Sequence, residues 1–424
     1  MAKFLINIIS VIITSFYFFP FEFIFLPGIN TKMVLAGIGL LVLGQRLAQK
    51  GHGIIDGNFF NLSLIALGIS LVSLITMTYN DTNDNSFLTY FVSMWVWLGG
   101  AYTVVRWLEF AYGYVSVRLI CNHLIGVCVM QCIIALSIDY YAPLKNFVNG
   151  FLGGEAFMGN AGNRLYGIGA ALDVAGLRFA TVSVMIGFML SKSKDFSNKQ
   201  VLGYLFSFFI IAIIGNMMSR TTTVGIVIAL LYLCYCAVIN AEFKENKRLL
   251  VWFGVFLCVV IPVVTLLYHT NETFHRNIRF AFEGFFSLWE TGEWNVTSND
   301  ILLESMIVFP ETLTTWIIGD GYAANPENDP FYNGPDFVGY YMDTDVGYLR
   351  YIFYFGLIGT VLFTIFMLKA ALICANKFKV YKVMFILLLL VNYIGWFKVS
   401  TDVFLVFAPF LCLNEDVNDL QSDL

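Results

Sequence analysis

Apolar stretches long enough to cross a bilayer follow one another along most of the 424 residues, separated largely by short polar gaps. A span needs about 20 apolar residues, fewer where flanking side chains reach the interface. Segments at roughly 4–26, 33–45, 58–78, 87–105, 117–138, 171–190, 201–218, 222–240, 249–268, 347–368, 383–397 and 401–414 meet that description. In hydrocarbon every backbone N–H and C=O needs an internal partner, so such runs form helices. The expected fold class is all-α: a polytopic membrane protein with about twelve transmembrane helices. With 58% hydrophobic and 12% charged residues, the composition excludes a soluble protein, and a net charge of −5 argues against nucleic acid as a partner. The stretch Phe4 to Phe25 is too long for a signal-peptide core and lacks a small-x-small cleavage site, so it reads as a retained first helix.

Placing the N-terminus in the cytoplasm puts Arg46, Lys50, Arg106, Arg118, Lys192, Lys194, Lys199, Lys244, Lys247, Arg248, Lys369, Lys377, Lys379 and Lys382 in the inner loops. With Lys3 that makes fifteen basic residues inside against nine outside, as the positive-inside rule requires. Both termini are then cytoplasmic. The chain divides into residues 1–268, with spans one to nine and an outer loop at about 139–170; residues 269–346, a large outer loop; and residues 347–424, with spans ten to twelve and an acidic tail. Within the large loop, Asn277 to Leu288 and Asp300 to Phe309 could form short helices. Internal repeats, heptads and low-complexity tracts are absent.

Six of the ten arginines oppose this trend. Arg164, Arg178, Arg220, Arg276, Arg279 and Arg350 fall on the outer side, in or beside the two long loops. A planar guanidinium fork suits bidentate phosphate, so these six are the candidate phosphate ligands. Arg276 and Arg279, three apart, share a face if their segment is helical, as Phe274, Ile278 and Phe282 at steps of four suggest. Arg220 sits in the turn Ser219-Arg220-Thr221-Thr222-Thr223, where the following helix would offer free N–H groups to an anion. Interfacial anchoring to lipid headgroups is the plainer alternative for each. Among the loop carboxylates, Glu272, Glu304, Glu311, Asp320, Asp336 and Asp343 read as solvated charges. Asp345 stands just before the tenth span, where low dielectric would raise its basicity, and is the candidate catalytic base. The loop also carries the aromatics Trp289, Trp294, Tyr322, Tyr332, Tyr340 and Tyr341, for each of which simple packing is the plainer reading. All eight cysteines lie in or beside apolar stretches and the four histidines lack ligand spacing, so neither metal nor cofactor is expected. Walker, Rossmann and kinase patterns are missing, which argues against a nucleotide substrate.

The run from Asp345 to Gly359 resembles the signature closing the large outer loop of the bacterial O-antigen polymerase and ligase superfamily. There an acid or histidine is followed by Tyr-Leu at the third and fourth positions and by glycine at the eleventh and fourteenth, matched by Tyr348, Leu349, Gly356 and Gly359. Gly319-Asp320-Gly321 is similar to the family's Gly-x-Gly upstream of that signature. Arg164-Leu165-Tyr166-Gly167 resembles its Arg-x-x-Gly element, and Ser219-Arg220 its Ser-Arg turn between two spans. In the ligase branch the signature opens with histidine; here it opens with Asp345.

The resemblance implies a GT-C-like membrane glycosyltransferase of the bacterial inner membrane. Its donor and acceptor would be undecaprenyl-diphosphate-linked oligosaccharides, polymerised on the periplasmic side into O-antigen or capsular polysaccharide without a cofactor, with a chain-length regulator as a further implied partner. The six outer arginines would then hold the diphosphate, Asp345 would be the general base, and Trp289, Trp294, Tyr322, Tyr332, Tyr340 and Tyr341 would be candidate sugar platforms. The same-class alternative is a ligase that moves finished glycan onto a lipid A core. A lipid-linked sugar transporter is the rival from another class; it predicts paired halves, broken helices and mid-membrane charges.

Overall fold

The computed structural model describes residues 2–50, 57–153, 164–239, 247–330, 332–337 and 339–413. Helices make up most of it. In chain order they are α1 (Ala2–Phe18), α2 (Thr31–Lys50), α3 (Gly57–Asn80), α4 (Tyr90–Tyr112), α5 (Val117–Tyr140) and α6 (Ala142–Phe151). Then come α7 (Leu172–Ser191), α8 (Asn198–Met218, with a π turn at Ile211–Gly215), α9 (Thr222–Ile239) and α10 (Lys247–Thr270). The series closes with α11 (Glu272–Ala281), α12 (Glu283–Thr291), α13 (Thr297–Glu304), α14 (Leu313–Ile317), α15 (Gly347–Lys377), α16 (Lys382–Gly395) and α17 (Phe404–Leu411). Two residues, Glu22–Phe23, pair antiparallel with Leu152–Gly153.

Eight of the described helices are long and apolar enough to cross a membrane: α2, α3, α5, α7, α8, α9, α10 and α15. The other four expected spans are α1, a shorter apolar helix; α4, which carries Arg106 and Glu109; α16, of 14 residues; and α17, of 8. At about 1.5 Å per residue α17 covers less than half of a hydrocarbon core about 30 Å thick, so it does not cross one unaided. The two expected loop helices are present with shifted bounds, as α11 and α12 and as α13.

The described residues group into two compact units. One holds Met1–Val34 and Val104–Trp294, the other Leu35–Thr103 and Asn295–Glu415. The segment 269–346 is thereby shared, with α11 and α12 in the first unit and α13 and α14 in the second.

In the first unit α7 is the central helix, buried continuously from Ala175 to Leu190. Small residues make that possible. A Cβ on Gly225 of α9 would lie 2.0 Å from the Ala180 carbonyl oxygen, and one on Gly187 would lie 2.8 Å from the Ala229 side chain. Close backbone approach is the usual device for helix association in lipid, where apolar burial offers little gain.

The second unit is built around α15, which is broken. Phe355 (φ −132, ψ 20) and Gly356 (φ 66, ψ −171) leave helical geometry. The break leaves backbone acceptors to satisfy, and Asp320 N donates to Phe353 O at 2.6 Å while Gly321 N donates to Tyr354 O at 3.1 Å. On the other side of that strap, Thr76 Oγ1, Asn80 Nδ2 and Thr82 Oγ1 donate to the carbonyls of Ile318, Gly319 and Gly321. Irregular backbone at membrane depth is tolerated only when protein supplies such partners. Glycine is required at the contact: a Cβ on Gly319 would lie 2.5 Å from Tyr354 O.

Candidate functional site

In the first unit the Ser219-Arg220-Thr221 turn joins α8 to α9 and is tied to the first turn of α7. Asp173 Oδ1 accepts from Ser219 Oγ and from Thr221 Oγ1, each at 2.7 Å. One turn further along α7, a Cβ on Gly176 would lie 2.4 Å from Ser219 Oγ, so glycine there lets the turn seat. With its neighbours fixed, Arg220 projects to α11 and α12. Its guanidinium lies 4.6 Å from the Phe280 ring centroid, and Nη1 is paired with Glu283.

Arg164 arrives at the same ring by another route. Leu165 N donates to Met217 O at 3.2 Å, which lays this segment beside the end of α8. Gln131 of α5 clamps the residues that follow, with Oε1 accepting from Ile168 N and Nε2 donating to Ile168 O. A Cβ on Gly167 would lie 2.3 Å from Gln131 Oε1, which accounts for the glycine of Arg-x-x-Gly. The Arg164 guanidinium is 5.0 Å from the Phe280 centroid, so its separation from that of Arg220 is bounded by two ring contacts. Phe280 is placed by α11, whose Phe274, Asn277, Ile278 and Ala281 are buried and whose Asn277 Nδ2 donates to Asp139.

The remaining arginines do not join this pair at the ring. Arg178 is buried within α7, 5.4 Å from the Phe19 centroid. Arg276 and Arg279 do lie on one helix, but Arg276 is exposed, while Arg279 makes a bidentate pair with Glu290 at 2.6 and 2.7 Å. That pair holds the Glu290 carboxyl below the usual carboxylate range. Arg350 belongs to the second unit. The expectation of free N–H groups at the start of α9 is not met. Thr222, Thr223 and Val224 N donate back to Ser219, Arg220 and Thr221 carbonyls, and Thr221 N donates to Ser219 Oγ. Any anion at this turn would be held by guanidinium groups.

In the second unit Asp345 is half-buried, two residues before α15 begins, and it interacts electrostatically with Arg350 on the first turns of that helix. Asp320, expected to be a solvated charge, is instead half-buried; Oδ1 accepts from Thr315 Oγ1 at 2.7 Å and Oδ2 from Tyr341 at 3.1 Å. Burial raises its carboxyl above the ordinary range, opposed by those two hydrogen bonds. With a folded pKa above the unfolded one, the native chain binds this proton more tightly. The group's contribution to stability is then full below about pH 4 and is lost as pH rises through the folded value. Asp320→Asn is expected to remove that loss: the wild-type unfolding midpoint, measured against the variant's, should fall as pH rises. A pH-independent difference would refute the assignment.

Of the aromatics, Tyr322 packs edge-on against Tyr332 and tilted against Tyr341, both at 5.4 Å, whereas Trp289 is 90% exposed and packs against little. Phe280, Glu283, Asp173 and Gln131 were not legible as site residues, because phenylalanine is abundant and the acids carry no motif. Among the described residues no group of three or more His, Cys, Asp or Glu side chains could hold a metal.

No family model matches the chain, and neither a curated protein nor a solved structure is significantly similar to it.

Proposed function

We propose that the chain is a membrane-embedded glycosyltransferase that polymerises undecaprenyl-diphosphate-linked oligosaccharide repeat units on the outer face of a bacterial inner membrane. The observation that carries this reading is the meeting of Arg164 and Arg220 at one aromatic ring, from two motif-bearing segments far apart in sequence. Two guanidinium groups at one ring, one of them already paired with Glu283, suit a ligand with several anionic oxygens, and a diphosphate leaving group is one. An apolar cavity of about 460 Å³ in the same unit adds support. Its walls include Phe206, Phe209, Ile213, Phe256 and Val260, and it reaches Asn271 and Phe274 at the start of α11, the helix that carries Phe280. A polyprenyl tail would lie there at no hydration cost.

In the proposed reaction an acceptor hydroxyl oxygen attacks the anomeric carbon. The bond from that carbon to the phosphate oxygen breaks, and its electron pair leaves with the lipid diphosphate. The hydroxyl proton goes to a general base, a role for which the resemblance makes Asp345 the candidate. The acid in place of the ligase branch's histidine favours polymerisation over ligation. The break in α15 favours a second reading, a lipid-linked sugar transporter, since transporters place discontinuous helices at their substrate sites. Here, however, the break is closed by Asp320 and Gly321 N–H groups, leaving its carbonyls satisfied by protein.

Membranes containing the chain, supplied with purified lipid-linked repeat unit, are expected to produce a ladder of lengthening glycans on undecaprenyl diphosphate. Asp345→Asn should slow ladder formation by about 10²–10⁴-fold with little change in protein level. A ladder formed by that variant at the wild-type rate would remove Asp345 as the base. Transbilayer movement of the lipid-linked unit with no ladder from the wild type would replace the polymerase by the transporter.

A further inference from the structure

We infer that the second unit contains a binding site for one uncharged sugar ring, in the cavity beside Arg350. The ligand class rests on the glycosyltransferase reading; the site itself rests on its walls. The cavity measures about 200 Å³ and is lined by Ser86, Phe87, Ala323, Ala324, Arg350, Tyr351 and Ser400. That is below the roughly 300–1,000 Å³ of drug-sized ligand sites and suits one small ring rather than a chain.

Arg350 is held for a task the free protein does not fill. Its guanidinium lies 3.4 Å from the Tyr340 ring centroid. Nη2 donates to Ala323 O at 3.1 Å and the guanidinium also hydrogen-bonds the Tyr340 side chain, while Nε is buried without a hydrogen bond. The neighbouring Tyr351 hydroxyl is likewise buried and without a hydrogen bond. Buried polar groups left without a partner are costly, so two on adjacent residues call for a compensating role.

Charge decides the ligand class. The Asp84 carboxylate lies at the Ala323 and Ala324 N–H groups, 2.7 and 3.0 Å away, on the cavity wall. Asp345 acts on Arg350, and Asp402 acts on Tyr351. Each of these three carboxylates bears on a residue of the cavity wall, against one guanidinium there, so an added phosphate would meet net repulsion. A neutral polyol meets none. Its hydroxyls can accept from Arg350 and exchange hydrogen bonds with Ser400, while its C–H face suits the rings of Phe87 and Tyr351. Arg350 is therefore assigned to sugar, and the diphosphate to Arg164 and Arg220.

The test is saturation-transfer NMR on the full chain in detergent micelles, with free glucose, galactose and N-acetylglucosamine as probes. At least one hexose should show saturable, millimolar binding that inorganic diphosphate does not displace. Ala324→Trp, which fills the cavity from an exposed position, should weaken that binding about tenfold or more, as should Arg350→Lys, which removes the planar fork. Arg220→Ala should leave it unchanged. Absence of binding by all three sugars, wild-type binding by Ala324→Trp, or displacement by diphosphate overturns the site. Should Arg350→Lys fail to fold, Ala324→Trp decides alone. Sugar binding without polymer formation would leave this site standing and remove the polymerase; polymer formation without sugar binding would do the reverse.

Discussion

Arg220→Ala is expected to reduce polymer formation by about 10²–10³-fold at equal expression, the usual cost of losing one preorganised charge donor to a developing anion. The loss should appear in kcat rather than KM for the lipid-linked donor, because negative charge on the leaving oxygen builds mainly in the transition state. Arg220→Lys keeps the charge but loses the fork, and should recover only part of the rate. The variant also leaves Glu283 without this partner in a partly buried setting, a stability cost on the order of 1–3 kcal/mol. Glu283→Gln separates the two effects. It breaks the same ion pair while leaving the guanidinium in place, so it should share the fall in unfolding midpoint yet retain activity within about tenfold. Equal loss of activity in Glu283→Gln and Arg220→Ala would make the pair a structural fastener and the diphosphate assignment wrong. So would a fully active Arg220→Ala.

The membrane-helix character of the chain was legible because hydropathy reports it directly: α3, α5, α7 to α10 and α15 lie where apolar runs predict them. Hydropathy does not report how far a run departs from helix. Nothing in the apolar run of α15 announces its break, and the spacing of Gly356 in its motif does not say what that glycine does. The two short motifs around Arg164 and Gly319 were legible as patterns, but their physical meaning was not, since each glycine is explained by a partner far away in sequence: Gln131 for Gly167 and Tyr354 for Gly319. The arginines show the same limit. Their surplus on one side is a property of composition, whereas which of them meet depends on side chains such as Phe280 and Glu290 that no spacing rule singles out. Asp320 was misread for a related reason. A carboxylate in a long polar loop is ordinarily solvated, and only the docking of that loop on α15 buries this one.

Gly356→Ala is expected to have the largest effect on stability of any single-methyl change in the second unit. The backbone there (φ 66, ψ −171) lies in a region essentially confined to glycine, and forcing another residue into it costs about 1–3 kcal/mol. Sterics add to that, since the new Cβ would sit 2.1 Å from the Ile317 carbonyl oxygen, a backbone atom that moves only if the strap moves. Displacing the strap would strip Phe353 O and Tyr354 O of the Asp320 and Gly321 N–H groups, leaving unsatisfied carbonyls where water is scarce. The total should exceed about 3 kcal/mol, enough to deplete the protein from membranes at growth temperature. Leu357→Ala, at the next position but exposed, is the control and should cost far less. The chain has an alternative, which is to let α15 run straight through with regular helical bonds once glycine no longer holds the kink. Gly356→Ala would then accumulate normally and unfold near the wild-type temperature, and the strap would be a passive loop. Loss of the variant with survival of Leu357→Ala would instead mean that Gly356 exists to hold helix and strap together. The strap carries Asp320, and the first segment of α15 carries Arg350, so the same substitution should also disturb sugar binding in whatever protein remains folded.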